Sequence, residues 1–460
     1  MPPIGRLSRP LLVAWAALWL GAPALAAEST GLPEPLTLEY ALSLADEPHP
    51  DLQLAQAGVD SAKADEAQAE SATGWNARLE AQARWVQPPA ISPDQRHNDS
   101  RVGLVVTKDL YDFGRSEHNV EAAGYDVKSR SLLYLNARQQ RRLEIMRRYF
   151  DVLLADLQYM RDNEDMAVVY VALDRLRDRR ELGQVSDIDV LKKEAAYQRV
   201  REKRTQSENM QRATRVRLAI ALNRPDDPPS TLAKPKLPWL KRKLPEVEDL
   251  QKQALEHNAV IRALRARLAG ARERLAAKRA GDRPVLRGRA ETFAYNREMG
   301  SYDKWQAGVQ LEVPLLDGGS VDAAVAKEQA EVYRLQAKLA KTRMDIREAV
   351  LNTWLSLQSL KTRRQADRAE TDYRDLYLDR SRALYQMEVT TDLGDSMVKI
   401  SDAELEAART DFKIAMAWSQ LDALTGRLSL DASQALPGAQ PRPAATEAPV
   451  SDETEQSTKR

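Results

Sequence analysis

The sequence predicts a mainly α chain with β: two very long helical rods joined to four short strands, built as an internal duplication. Three observations carry this. Leu110-Tyr111-Asp112-Phe113-Gly114-Arg115 recurs as Leu315-Leu316-Asp317-Gly318-Gly319-Ser320. Each copy closes a stretch of alternating polar and apolar residues, the pattern of a strand with one wet and one apolar face. Each copy also opens a stretch almost free of helix breakers: 321–387 contains neither Gly nor Pro, and 115–182 contains only Gly124. At about 1.5 Å of rise per residue such rods span on the order of 100 Å, too long for an ordinary globular domain.

The repeat extends outward from this motif. Ala45-Asp46-Glu47-Pro48-His49-Pro50-Asp51-Leu52 answers to Ala254-Leu255-Glu256-His257-Asn258-Ala259-Val260-Ile261. Gln184-Val185-Ser186 answers to Glu388-Val389-Thr390, and Leu222-Asn223-Arg224 to Thr425-Gly426-Arg427. The offset drifts only from 209 (254 − 45) to 203 (425 − 222). Each half is therefore one helix, two strands, a long helix and a helix. The expected plan is a signal peptide over 1–27, a first structural repeat over 28–224, a Pro-rich linker over 225–245, a second repeat over 246–427 and a disordered tail over 428–460.

Composition narrows the function classes. Among 460 residues, 69 basic and 68 acidic side chains give a formal net charge of +1, which suits long solvated helices and not a nucleic-acid groove. Cysteine is absent, which excludes disulfides, cysteine metal sites and a lipidated N-terminal cysteine. Arg6 and Arg9 precede the apolar run 11–20, and Ala24-Leu25-Ala26 or Leu25-Ala26-Ala27 supplies a small-residue cleavage site. An uncleaved anchor helix is the alternative, although the run is short for a span. No later segment reads as a transmembrane helix, so any crossing by the mature chain must use strands.

Each element follows in order. Residues 38–72 read as helix. Over 75–86, Ala77, Leu79, Ala81, Ala83 and Trp85 alternate with Arg78, Glu80, Gln82 and Arg84. A proline-containing loop leads to a second strand with Val102, Leu104 and Val106 on its apolar face. In the rod that follows, Met146, Phe150, Leu153, Leu157 and Met160 form a coiled-coil seam, and 186–224 is a return helix. The second half repeats this with a helix over 246–281 and a strand over 286–295 whose polar face holds Arg287, Arg289 and Glu291. A further strand follows, in which Trp305, Ala307, Val309, Leu311 and Val313 alternate with Lys304, Gln306, Gly308, Gln310 and Glu312. Its rod is 321–387 and its return helix 390–425. Two short helices end to end match each rod. One therefore returns from a far tip to mid-length, and the earlier one covers the half nearer the strands.

Four strands cannot close a transmembrane barrel, which needs about eight, and open strand edges are not tolerated in lipid. Either several chains pool their strands around a lumen lined by the polar faces, or the strands form a soluble β-layer. Trp75, Trp85, Tyr111, Phe113, Tyr295 and Trp305 lie near strand ends, where interfacial aromatics belong.

With its duplicated half, its strand-to-helix motif and its Val-Ser/Thr turn at the rod tip, the chain resembles the TolC-like outer membrane factors over roughly residues 36–428. The resemblance implies a homotrimer that pools four strands per chain into a twelve-stranded transmembrane β-barrel above an α-helical coiled-coil tunnel. It implies a place in the outer membrane of a Gram-negative bacterium, with the helices in the periplasm. The implied function is passive export of a tripartite efflux or type I secretion system, driven by an inner-membrane transporter through a periplasmic adaptor (membrane fusion) protein. Arg78, Glu80, Gln82, Arg84, Arg287, Arg289, Glu291, Gln306 and Gln310 would line the barrel lumen. Gly183, Val185, Ser186, Val389 and Thr390 would meet the partner at the helix tips. Asp392 and Asp395 match a pair of aperture aspartates facing the tunnel axis.

Two roles stay open for that pair. Their spacing puts them on one helix face, where a trimer would gather up to six carboxylates into a cation-attracting ring; alternatively they only open or cap the helix. Met387 stands where the first half has Gly183, and no gating ion pair is expected at Glu388. Ser186-Asp187-Ile188-Asp189 reads as a helix cap, as do Asp112 and Asp317. His49, His97, His118 and His257 are scattered without metal-ligand spacing, and no nucleotide loop or nucleophile motif is present, so neither cofactor, metal nor enzymatic activity is expected. A soluble periplasmic adaptor or scaffold coiled coil is the alternative function.

Overall fold

A computed structural model describes residues 31–297, 303–389 and 392–428. The expected signal peptide 1–27, the tail from 429 onward and Thr390 lie outside the described residues. Helix α1 (Leu38–Ser43) and α2 (Pro50–Ser71) precede strands β1 (Asn76–Gln82) and β2 (Arg101–Tyr111). Rod α3 (Arg115–Glu181) and α4 (Asp187–Ala221) complete the first half. The second half holds α5 (Val247–His257), α6 (Ala259–Arg279), β3 (Val285–Tyr295), β4 (Trp305–Glu312), rod α7 (Ser320–Gln386) and α8 (Leu393–Leu424). The same element order thus runs twice. Both rods are 67 residues long.

The expected continuous helices 38–72 and 246–281 are each interrupted. In the first, Pro48 and Pro50 stop α1 and its trailing one-turn helix, and His49 Nδ1 accepts the Asp51 amide to start α2. In the second, Asn258 Oδ1 accepts the amides of Val260 and Ile261 to start α6. Both breaks sit at mid-length of the rods. Helix α2 packs along the strand-side half of α3 and α4 along its tip half, while α5 and α6 together, and α8, cover α7 in the same way.

Both rods start alike. Gly114 (φ 84°) and Gly319 (φ 82°) hold a left-handed N-cap that a side chain would strain. Just before them, Asp112 Oδ2 accepts the Ser116 amide at 2.8 Å, and Asp317 accepts those of Gly319 and Val321 at 2.9 and 2.8 Å. The capping expected of both aspartates is therefore present. Those amides hold the Asp317 carboxyl below its usual value.

The four strands form one antiparallel sheet in the order β1-β2-β3-β4. β1 ends at Gln82, short of the expected Val86; Trp85 makes only an isolated bridge to Asn98 and stacks on His97 at 5.8 Å as the chain turns into its proline loop. The Pro-rich stretch 225–245, expected as a linker, packs into the bundle. Leu36 and Leu232 form a parallel bridge, and the buried Tyr149 hydroxyl stands 2.9 Å from Leu36 O and 2.5 Å from Ala233 O. Arg242 lies over the buried Trp418 ring at 4.2 Å and pairs with Asp422 at 2.7 Å. The main core is this mid-level belt, where Phe150 stacks on Phe412 at 4.5 Å. The expected α3 seam is buried at Met146 and Phe150 but opens at Met160, where Asp162 turns inward to Arg161, Lys203 and Gln158 instead.

Candidate functional site

Strand register sorts the sheet residues by face. Leu79 pairs with Leu104, Leu104 with Thr292 and Thr292 with Trp305, so these share one face. Val309 faces the same way through Gly288. The apolar residues on this face are exposed in a single chain. The opposite face carries Arg78, Glu80, Gln82, Arg287, Arg289, Glu291, Gln306 and Gln310 together, as their alternation requires. Arg84 lies beyond β1, where its Nε donates to Asp99 at 2.8 Å.

Charges on the polar face are paired locally. Arg78 meets Glu80 at 2.7 Å, Arg287 meets Asp109 at 2.6 Å, Arg289 meets Glu291 at 2.6 Å, and Gln306 also donates to Glu291. Two apolar residues escaped the sequence reading. Val105 and Phe293 sit buried on this polar face. Phe293 covers Gly103, its strand partner, so closely that a Cβ there would stand 2.2 Å from the ring. The legible signal was Phe293 itself, which breaks the polar alternation of β3.

At the rod tips the two halves differ. In the first, Gly183 (φ 69°) ends α3 while its amide donates to Arg180 O and that of Gln184 to Arg179 O. Ser186 and Asp189 then form a full capping box on α4, as expected, and the Ser186 hydroxyl holds the Asp189 carboxyl below its usual value. In the second, the same pair of bonds runs from Glu388 to Tyr385 O and from Val389 to Leu384 O. The left-handed residue is Glu388 (φ 60°), so Glu388 and not Met387 is the counterpart of Gly183. The equivalence slipped by one in sequence because Val389 follows the left-handed residue directly, whereas Val185 stands two places after Gly183. Val185 and Val389 lie in these turns.

Asp392 is the N-cap residue of α8, but its side chain makes no capping bond to a backbone amide. Its carboxylate accepts instead from the Tyr377 hydroxyl at 2.6 Å and the Ser381 hydroxyl at 3.1 Å, both on α7. Tyr377 holds the Asp392 carboxyl below its usual value, with Ser381 adding to it, and the Tyr377 hydroxyl is pushed up in turn. Ser396, one turn further, meets Ser381 at 3.0 Å. Asp395 pairs with Lys399 at 2.5 Å along α8. Tyr377 and Ser381 were not singled out from sequence, although their four-residue spacing matches that of Asp392 and Ser396 across the hairpin.

The architecture is a bundle of long paired helices carrying a small two-faced sheet. Residues 250–427 match the family described as Outer membrane efflux protein. A curated relative, Protein CyaE of Bordetella pertussis, is 25% identical over 262 residues, covering 56% of this chain and 55% of that protein. The match thus spans about half the length of that relative. Among solved structures, the fold is similar to the outer membrane protein VceC from Vibrio cholerae, with TM-score 0.69 and 17% identity over 85% of this chain and 96% of that one. It is also similar to the CmeC outer membrane channel of Campylobacter jejuni, with TM-score 0.70 and 13% identity over 86% and 87%. The family match thus covers the second half of the chain, and the fold similarity covers most of it.

Proposed function

We propose that this chain is the exit duct of a tripartite efflux or type I secretion system. Three copies would pool their strands into a twelve-stranded outer-membrane barrel over a periplasmic helical tunnel, joined through an adaptor to an inner-membrane pump. One observation carries the reading. Met146 and Phe150 of α3 are 3% and 2% exposed because α8 covers them, whereas their repeat equivalents on α7, Leu351 and Leu355, are 38% and 45% exposed. On α4, the repeat equivalent of α8, Met210, Val216 and Ile220 are also exposed. The contact that α3 makes with α8 inside one chain has both of its halves open between α7 and α4. Head-to-tail closure, α7 of one copy on α4 of the next, satisfies both and generates a ring.

The same closure joins the open edges of β1 and β4, which lipid does not tolerate unpaired. Locally paired charges on the inner face suit a water-filled lumen lined by Arg78 through Gln310, and the outer apolar face suits lipid. No helix among the described residues is long and apolar enough to cross a membrane. The halves 28–224 and 246–427 are then duplicated units placed at alternating positions around the ring. At the tips, Gly183, Val185, Ser186, Val389 and Thr390 would meet the adaptor. Asp392 and Asp395 would ring the aperture, with Asp392 also latching α8 to α7 through Tyr377.

Detergent extraction with native mass measurement is expected to give three copies, and planar-bilayer recording a cation-blocked channel. Asp392→Asn with Asp395→Asn should weaken block by multivalent cations. A stable monomer in membranes would overturn the duct; wild-type block in the double mutant would overturn only the aperture assignment.

A further inference from the structure

The start of α3 and the far end of α6 lie side by side just below the sheet, and they hold a donor set that export does not use. His118 Nδ1 stands 2.8 Å from Glu273 Oε2 across the two helices. Glu121, one turn along α3 from His118, completes the group: one atom from each of the three side chains lies within 4.8 Å of the others. Among the described residues this is the one place where three His, Asp or Glu side chains converge so closely.

The backbone there is held from two sides. Gly270 lets α6 approach α3 so tightly that a Cβ would stand 3.0 Å from Ala122 O and 3.2 Å from Tyr125 Cβ. Arg274, next to Glu273, is tied to Asp126 of α3 at 2.6 Å. Glu273 is thereby delivered to His118 at a fixed height. The charge is unusual for this chain. Ion pairs line its helices, yet among the described residues no Lys or Arg nitrogen comes within 4.0 Å of Glu121 or Glu273. Glu273 pairs with the imidazole, Glu121 stands close by, and among the described residues neither carboxylate has a Lys or Arg partner.

We propose that His118, Glu121 and Glu273 form a binding site for a divalent transition-metal ion of the zinc class, which staples α3 to α6 beneath the sheet. One imidazole nitrogen and two carboxylate oxygens are a three-ligand set that zinc accepts with water in the open position. Calcium and magnesium take oxygen ligands, so the imidazole nitrogen favours a transition metal over them. Binding needs the imidazole to present the Nδ1 lone pair, so its proton moves to Nε2, and the hydrogen bond to Glu273 is exchanged for two metal bonds.

The test uses the full chain in detergent, stripped with chelator and titrated with Co²⁺, then with Zn²⁺ as competitor. The expected result is one Co²⁺ per chain with a visible absorption band, displaced by Zn²⁺, and a higher Tm with metal. His118→Ala and Glu273→Gln should each weaken binding by no less than the about 10–100-fold typical of outer-sphere partners. Glu121→Gln changes an exposed position and keeps the test open if the other two variants fail to fold. His257→Ala should bind like wild type. Absence of stoichiometric binding, or undiminished binding in Glu121→Gln and His118→Ala, overturns the site; neither result touches the export reading.

Discussion

Rods α3 and α7 have the same length, start on the same left-handed glycine and end on the same type of turn, yet they live in different surroundings. Counterparts 205 positions apart (350 − 145) match where both rods meet their own half: Ile145 with Val350, and Val152 with Leu357, all buried. Tyr149 and Trp354 both reach the Pro-rich stretch, Tyr149 through Ala233 O and Trp354 Nε1 through Pro245 O at 2.9 Å. The rods diverge on the next face. There α3 finds α8 of its own chain, while Leu351 and Leu355 of α7 stay exposed. On the proposed ring, the seam that the two halves close inside one chain recurs between neighbouring copies, where α7 and α4 keep apolar residues exposed.

That difference can be broken directly. Phe150→Ala should destabilise the chain itself by about 3–5 kcal/mol, the usual cost of emptying an aromatic core site, read as a lower unfolding midpoint. Leu355→Asp, at the counterpart position, should leave the secondary structure intact and abolish the oligomer in native mass measurement. If Leu355→Asp keeps a full assembly, the open seam is not an interface.

A second pair tests where the halves are equivalent. Leu104 and Val309 are repeat counterparts on the same sheet face. Arginine at either should cost about 2–4 kcal/mol if that face meets lipid, and membrane assembly assays should show equal losses. Gln82→Ala and Gln306→Ala, on the other face, should assemble normally. Unequal losses at Leu104 and Val309 would mean the two hairpins do not share one environment.

The turns offer a smaller effect of opposite sign. At three left-handed positions one copy has glycine and the other a side chain: Phe113 with Gly318, Glu388 with Gly183, and Asn223 with Gly426. Phe113 offsets its strain by packing on Tyr111 at 4.7 Å, and Asn223 by donating to Pro48 O at 3.0 Å. No comparable side-chain bond is seen for Glu388 among the described residues. Glu388→Gly should therefore stabilise by about 1–2 kcal/mol, and Gly183→Glu should destabilise by a similar amount, both read from thermal melts.

The smallest effect is on pH. Asp392 has its carboxyl lowered from 3.8 in the folded chain, chiefly by Tyr377. A depressed carboxyl stabilises the fold above its unfolded value, and that contribution is lost as pH falls through the folded value. Asp392→Asn should flatten the acid limb of stability below about pH 4, and so should Asp189→Asn in the first half, where Ser186 lowers the carboxyl. Acid melts that match wild type would show that neither latch holds a tip.

Local pattern determined much of this protein. Alternation placed every strand and assigned Arg78, Gln82, Leu104 and Val309 to their faces, because a side-chain period of two leaves no freedom once one face is apolar. The absence of Pro and near-absence of Gly fixed both rods, and Asp112, Asp317 and Ser186 announced their caps because capping is a bond between near neighbours. Tertiary structure decided what depends on residues far apart in the chain. The helix breaks at His49 and Asn258, the docking of 225–245 on Tyr149 and the latch of Asp392 on Tyr377 each need a partner that short-range periodicity does not encode. His118 and Glu273 stand 155 positions apart, which made every histidine look isolated until α6 was laid against α3. The sequence therefore determined the elements and their faces, whose causes are local. Which faces are closed within the chain and which stay exposed was decided by packing, because burial depends on what a helix meets and not on its own pattern.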